Sequence, residues 1–171
     1  LAMSYGEPSL TTAGRKLAAS AVERIIVLPL YPQYSSSTTA AVFDGLANAL
    51  KPCPDIPELI FIRDYWARED YLQALANSVQ EFWDEHGKPD RLLLSFHGIP
   101  QRYEDTGDPY PSLCRKTAAA VASRLGLADD QWSESFQSRF GREEWVKPYT
   151  DVLLEQWGND DSIQRVDVIC P

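Results

Sequence analysis

One of the two histidines in the chain, His97, comes shortly after an apolar run at residues 91–94 that is typical of a buried strand. In open parallel sheets, ligand-binding and catalytic groups gather beyond the carboxyl ends of the strands. An imidazole at that place can accept a proton or bind a metal ion. It can equally be a structural residue satisfied by a backbone carbonyl, and the residues alone leave both interpretations open. The other histidine, His86, is predicted to be structural, because it stands at a helix end before Gly87.

Two further polar loops also follow predicted strands. The loop at residues 29–39 carries Tyr31, Gln33, Tyr34 and Ser35. It could form a wall for a flat aromatic ligand, with hydroxyls and helix amides available to carboxylates. The alternative is an ordinary helix cap with aromatic packing, which on these residues alone is the simpler interpretation.

The loop at residues 136–145 contains Arg139, Arg142 and Trp145, together with Phe140. Two arginines beside aromatic rings could hold an acidic, planar molecule. The alternative is an exposed loop in which the neighbouring Glu143 and Glu144 pair with those arginines for little net energy.

Apolar periodicity and turn residues predict the elements that position these loops. Strands are expected at residues 22–30, 59–62, 91–96, 132–137 and 166–169. Helices are expected at 10–20, 70–85, 111–125 and 146–157, and a further helix is expected to begin within 36–39 and to run to about residue 50. Alternation of this kind predicts an α/β fold with right-handed βαβ units and parallel sheets. We place a boundary near residues 87–90, which gives two lobes, 1–88 and 89–171.

Composition excludes several classes of protein. A net charge of −9 without a basic stripe disfavours a nucleic-acid partner. The chain lacks an apolar run of the ~20 residues that span a bilayer, and it does not open with a signal-peptide pattern. Three widely spaced cysteines argue for a reducing compartment, and we expect a cytoplasmic protein. Nucleotide-binding glycine motifs and the hydrolase nucleophile elbow are missing.

The chain begins at Leu1 rather than at a methionine and stops directly after a predicted strand. We therefore expect it to be part of a longer polypeptide, with material on both sides.

Five ordered motifs resemble the ferrochelatases, and in particular the bacterial branch that uses protoporphyrin. They lie at residues 2–9, 28–35, 95–103, 107–111 and 136–151, so the resemblance covers essentially the whole chain. It implies two Rossmann-like lobes, incomplete here, with a porphyrin between them. It also implies insertion of ferrous iron, as substrate, into protoporphyrin IX to form protohaem.

The resemblance assigns His97 as metal ligand, as acceptor of the pyrrole protons, or both. The residues expected to contact the porphyrin are Tyr31, Gln33, Tyr34, Ser35, Tyr103, Arg139, Arg142 and Trp145. The partner glutamate of the family lies beyond the Cys-Pro at residues 170–171, so this polypeptide alone is not expected to metallate porphyrin. No prosthetic group and no iron–sulfur cluster are expected in it.

The sequence leaves two alternative functions open. One is a related chelatase for another metal, such as cobalt, and the other is a porphyrin-binding module without turnover. A peripheral membrane contact is compatible with a hydrophobic substrate. The residues indicate no particular oligomeric state.

Overall fold

The computed structural model describes residues 1–20 and 22–171, which form two compact units, Leu1–Tyr65 and Trp66–Pro171. We call them unit 1 and unit 2. The division falls earlier in the chain than the lobe boundary predicted near residues 87–90, because the helix before that point packs with unit 2. The two-lobe assignment itself stays a prediction.

Unit 1 contains α1 (Leu10–Ala19), β1 (Arg24–Val27), α2 (Thr39–Leu50) and β2 (Glu58–Phe61). The strands pair in parallel from Arg24 opposite Glu58 to Val27 opposite Phe61. The predicted strand therefore forms, but the prediction that it is buried holds only for Ile25, since Ile26 is 64% exposed. The reason is that the sheet has two strands, so most of their side chains lie on the surface.

Unit 2 contains α3 (Glu69–His86), β3 (Arg91–His97), α4 (Gln101–Asp105), α5 (Tyr110–Arg124), β4 (Trp132–Gln137), α6 (Thr150–Gly158) and β5 (Val166–Ile169). Its three strands are all parallel, in the order β4-β3-β5. The prediction of parallel sheets in an α/β fold is confirmed, and β3 is the central strand.

The core of unit 2 lies on one face of β3. Leu92, Leu94 and Phe96 point to this face at the two-residue period of a strand. They pack against apolar side chains of α3 and α5: Leu72, Ala76, Val79, Trp83, Cys114, Ala118 and Val121. Because α3 contributes to this core, it belongs to unit 2.

Two local expectations differ from the structure. The helix predicted from residue 146 begins at Thr150, so Pro148 precedes the helix and does not lie in its first turn. Residues 145–149 instead bond to β4, with Phe136 N donating to Pro148 O at 2.8 Å. The short helix α4 was not predicted, because five residues carry too little periodicity to be recognised. Among the helices of the described residues, none is long and apolar enough to cross a membrane.

Candidate functional site at the carboxyl end of β3

The structure places His97 as the last residue of β3, exposed, directly opposite Gln137 of β4. The five residues before it, Leu92–Phe96, are each at most 2% exposed. His97 is therefore the first side chain of this strand to reach the surface, and it does so from the best-packed element of unit 2. The functional and the structural interpretation of His97 both fit this strand-end position, and the functional role stays a prediction.

The imidazole is oriented by the chain itself. Nδ1 of His97 lies 2.7 Å from the carbonyl oxygen of Gly98. A carbonyl can only accept a hydrogen bond, so Nδ1 carries the hydrogen in the neutral ring. The lone pair then stands on Nε2, which can accept a proton or bind a metal ion.

Gly98 is required by the crowding beside His97. A Cβ atom there would meet the carbonyl oxygen of Gln137 at 3.0 Å and the Trp145 ring at 3.1 Å. The Gly98 amide donates to that same Gln137 carbonyl at 2.8 Å. The glycine thus lets the turn after His97 approach β4 closely, which fixes the carbonyl that holds the imidazole.

Trp145, predicted to contact a porphyrin, is buried at 5% exposure. Its indole N–H donates to Phe140 O at 3.0 Å, and the two rings lie 5.0 Å apart. Trp145 packs under the turn at Gly98, while Phe140 is 75% exposed. Of these two rings, Phe140 offers the free surface.

The two predicted arginines occupy different settings. Arg139 donates to Asp151 at 2.7 Å, and its guanidinium stacks over Tyr149 at 4.1 Å from the ring centre. Arg142 is exposed.

The alternative pairing with the adjacent glutamates is wrong. Glu143 pairs with Arg102 at 2.9 Å and Glu144 with Lys147 at 2.7 Å. The guanidinium groups of this loop are therefore not neutralised by their sequence neighbours.

Tyr103, also predicted to bind the porphyrin, lies just beyond the turn in α4 and is half-buried. The Arg102 guanidinium lies 4.5 Å from the centre of its ring, and the side chain packs against the core. Nearby Glu104 is held by Arg115 at 2.9 Å, so that carboxylate is already paired.

The remaining predicted residues lie in unit 1, after β1. Gln33 and Ser35 are buried, at 3% and 0% exposure, whereas Tyr31 is 37% exposed. The carbonyl of Ser35 accepts from the Thr38 and Ala40 amides, which ties it to the start of α2. In this loop the tyrosines offer the ligand-accessible surface, and Ser35 supports the helix start.

Sequence reasoning missed Arg63, whose guanidinium stacks over the Tyr34 ring at 4.1 Å. A signal was available, because Arg63 stands two residues after β2 and polar groups at such strand ends are the usual candidates. Arg63 also pairs with the adjacent Asp64.

Sequence reasoning also missed Tyr110, whose hydroxyl donates to the backbone carbonyl of His97 at 2.9 Å. Burial raises the pKa of Tyr110 and also that of the Cys114 thiol one turn along α5, so both groups keep their hydrogens near neutral pH.

Over residues 1–20 and 22–171, no three His, Cys, Asp or Glu side chains cluster closely enough to hold a metal ion. In unit 2 the site is thus a single histidine with a rigid support, a neighbouring Gln137, and a loop that carries Phe140 and two arginines. Such a site can receive a proton, or offer one nitrogen to a cation that other groups also bind.

Fold and site together define an α/β protein of parallel strands with an exposed histidine at a strand end. Comparison with known proteins specifies the family. The family model for ferrochelatase matches residues 1–171, so the chain belongs to the ferrochelatase family. The resemblance seen in the motifs is confirmed.

Three curated relatives named as ferrochelatases illustrate the match. The chain is 57% identical over 171 residues to a protein of Aeromonas hydrophila subsp. hydrophila, of which it covers 52%. It is 55% identical to "Ferrochelatase 1" of Shewanella oneidensis, covering 51%, and 55% identical to a ferrochelatase of Vibrio cholerae, covering 53%. The chain spans about half the length of the curated relatives it matches.

Proposed function

We propose that this chain supplies the histidine-bearing half of an enzyme that inserts ferrous iron into protoporphyrin IX to form protohaem. Membership of the ferrochelatase family supports the reaction class. The observation that carries the proposal is His97, exposed at the end of a buried strand with Nδ1 bonded to Gly98 O.

The reaction has a specific chemical requirement. Two pyrrole protons must leave the macrocycle as a divalent cation enters it. A neutral imidazole nitrogen can accept such a proton, and it is also a good ligand for ferrous iron. Because Nδ1 is committed to Gly98 O, Nε2 is the atom that performs either step.

Around His97, the exposed ring of Phe140 and the guanidinium groups of Arg139 and Arg142 suit a planar, acidic macrocycle. In unit 1, Tyr31 and Tyr34 are proposed to contact the ring. We assign Gln33, Ser35 and Trp145 supporting roles in binding, since each is buried. Tyr103, half-buried under Arg102, is kept as a proposed contact.

The experiment uses a chimera in which this chain replaces the matching half of the Aeromonas hydrophila relative. Purified chimera is mixed with protoporphyrin and ferrous iron under anaerobic conditions, and haem formation is followed by absorbance. We expect insertion at a rate comparable to that of the unmodified relative. A folded chimera that binds protoporphyrin, shown by a shift of its Soret band, but forms no haem would contradict the proposal.

A second candidate concerns the 171-residue chain alone, because it spans about half of its relatives. We propose that alone it binds porphyrin at most and does not insert iron. Turnover by the isolated chain near the rate of the relative would overturn this. Adding ferrous iron during the Soret titration separates binding from insertion.

We also propose a cytoplasmic location. Its support is that Cys53, Cys114 and Cys170 are all free thiols, as a reducing compartment would keep them. Fractionation of cells that express the chimera tests it, and recovery in the periplasm would contradict it.

A further inference from the structure

The backbone carbonyl of His97 points away from β4. Along β3, even-numbered residues bond towards β4, as Leu92 N does to Gln131 O and Gly98 N to Gln137 O. Odd-numbered residues bond towards β5, as Arg91 N does to Arg165 O. The carbonyl of His97 therefore faces the β5 side.

On that side, β3 pairs with β5 from Arg91 opposite Val166 to Leu94 opposite Ile169. The Tyr110 hydroxyl donates to the His97 carbonyl at 2.9 Å. A side chain thus holds the backbone of the one residue that carries the proposed chemistry.

Tyr110 is itself held in place by its backbone and its ring. Its backbone amide donates to Asp108 Oδ1 at 3.0 Å, and its ring packs against the core of unit 2. The point from which its hydroxyl reaches the His97 carbonyl is therefore fixed by the start of α5 and by the core.

We propose that Tyr110 is a positioning residue that fixes the His97 backbone, and with it the location of Nε2, while Asp108 fixes the backbone of Tyr110. The inference rests on the proposed function. It predicts that loss of one hydroxyl, remote from the reacting nitrogen, slows iron insertion. Misplacement by about 1 Å can cost on the order of a hundredfold in rate, so a partial loss of this anchor is expected to be measurable.

The first test is Tyr110→Phe in the chimera, which keeps the ring and removes the hydroxyl. We expect kcat to fall by about tenfold, while KM for protoporphyrin stays within about twofold, since an orienting contact is lost and not a binding one. The matched control is Thr117→Val, which removes another buried hydroxyl of α5 that bonds to Leu113 O at 2.9 Å. The control should leave kcat unchanged even where it lowers stability.

A spectroscopic readout separates positioning from general destabilisation. In chimera labelled with 15N-histidine, the ring nitrogens of His97 should show one tautomer, with hydrogen on Nδ1. Tyr110→Phe should shift them towards a mixture, whereas Thr117→Val should not. Unchanged kcat together with an unchanged His97 tautomer in folded Tyr110→Phe would overturn the inference.

Should Tyr110→Phe fail to fold, a pair of variants at Asp108 carries the test. Asp108→Asn keeps a hydrogen-bond acceptor for the Tyr110 amide and should retain kcat within about twofold, whereas Asp108→Ala removes it and should lower kcat several-fold. Equal rates for the two variants would overturn the inference. Its failure is distinguishable from failure of the proposed function, because insertion that survives His97→Ala removes the function whatever Tyr110 does.

Discussion

The two units follow the same sequence rule, an apolar strand and then a polar loop, but they hold their loops in different ways. In unit 2, every residue of Leu92–Phe96 is buried, and the strand has a partner on each side. In unit 1, Ile26, Leu59 and Ile60 are 64%, 36% and 38% exposed. His97 thus follows a fully buried central strand, whereas the loop of Tyr31 and Tyr34 follows a largely exposed two-stranded sheet.

The difference in strand burial between the two units fits the different functions proposed for the loops that follow those strands. A group that must exchange a proton or bind a cation needs a fixed location, which a buried central strand provides. Aromatic walls for a large flat ligand tolerate adjustment, and the exposed ring of Tyr31 in unit 1 is suited to that. The proposed chemistry therefore lies after the buried strand of unit 2, and the proposed contacts of unit 1 lie after an exposed strand.

The largest expected effect comes from truncating matched leucines in the two sheets. Leu94→Ala removes a fully buried side chain and should lower the free energy of unfolding by about 2–5 kcal/mol. Leu59→Ala, at 36% exposure, should cost less than about 1.5 kcal/mol.

Tryptophan fluorescence measures this difference in stability. All 5 tryptophans, at positions 66, 83, 132, 145 and 157, lie in unit 2, so their fluorescence during urea unfolding reports that unit. Leu94→Ala should lower the fluorescence midpoint, and Leu59→Ala should leave it in place while altering the change seen by circular dichroism. Equal midpoint shifts would contradict the contrast between the units.

A smaller effect on stability is expected from alanine substitution of two glycines, one in each unit. The Cβ of Gly98→Ala would meet a backbone oxygen of Gln137 at 3.0 Å, which cannot move aside, so a cost of about 1–3 kcal/mol is expected. Gly14→Ala in α1 would meet the end of the Leu46 side chain at 3.2 Å and the Cβ of Ala49 at 3.3 Å, but no backbone atom. Its gain in helix propensity, about 1 kcal/mol, should largely offset these contacts.

Thermal unfolding of the two glycine variants measures the difference. Gly98→Ala should in addition slow iron insertion by the chimera, because it disturbs the carbonyl that orients His97. A cost for Gly14→Ala as large as that for Gly98→Ala would show that unit 1 is packed as tightly as unit 2.

The smallest expected effect is a difference in cysteine reactivity, which is measured on the chain without any substitution. Burial raises the pKa of the Cys114 thiol, so its thiolate is scarce at pH 8 and alkylation should be slow. Cys53 lines an open pocket of about 540 Å³ in unit 1, and it should react at least about tenfold faster than Cys114. Peptide mass spectrometry after timed alkylation checks the order, and faster labelling of Cys114 would contradict it.

Much of this architecture is readable from the residues. Strands and long helices were predicted because apolar periodicity records which face is buried, as in β3 and α3. His97 was identified because a strand end is marked in the chain by the change from apolar to polar residues. Its exposure in the structure agrees with that hypothesis, while its role in catalysis stays a prediction.

What the residues did not reveal depends on contacts between distant segments. The burial of Trp145 under the turn at Gly98, and the stacking of Arg63 on Tyr34, have no local signature. The hydroxyl of Tyr110 is 13 residues from the carbonyl it bonds. Pro148 was misplaced because a helical pattern cannot show that β4 binds the segment before the helix.

The central claim is that the imidazole of His97 performs the chemistry, and the most direct measurement compares the two histidines. His97→Ala in the chimera should lower the rate of iron insertion at least about a hundredfold while protoporphyrin still binds. His86→Ala, which also removes an exposed imidazole from unit 2, should stay within about twofold of the parent. Insertion by His97→Ala at the rate of His86→Ala would contradict the account.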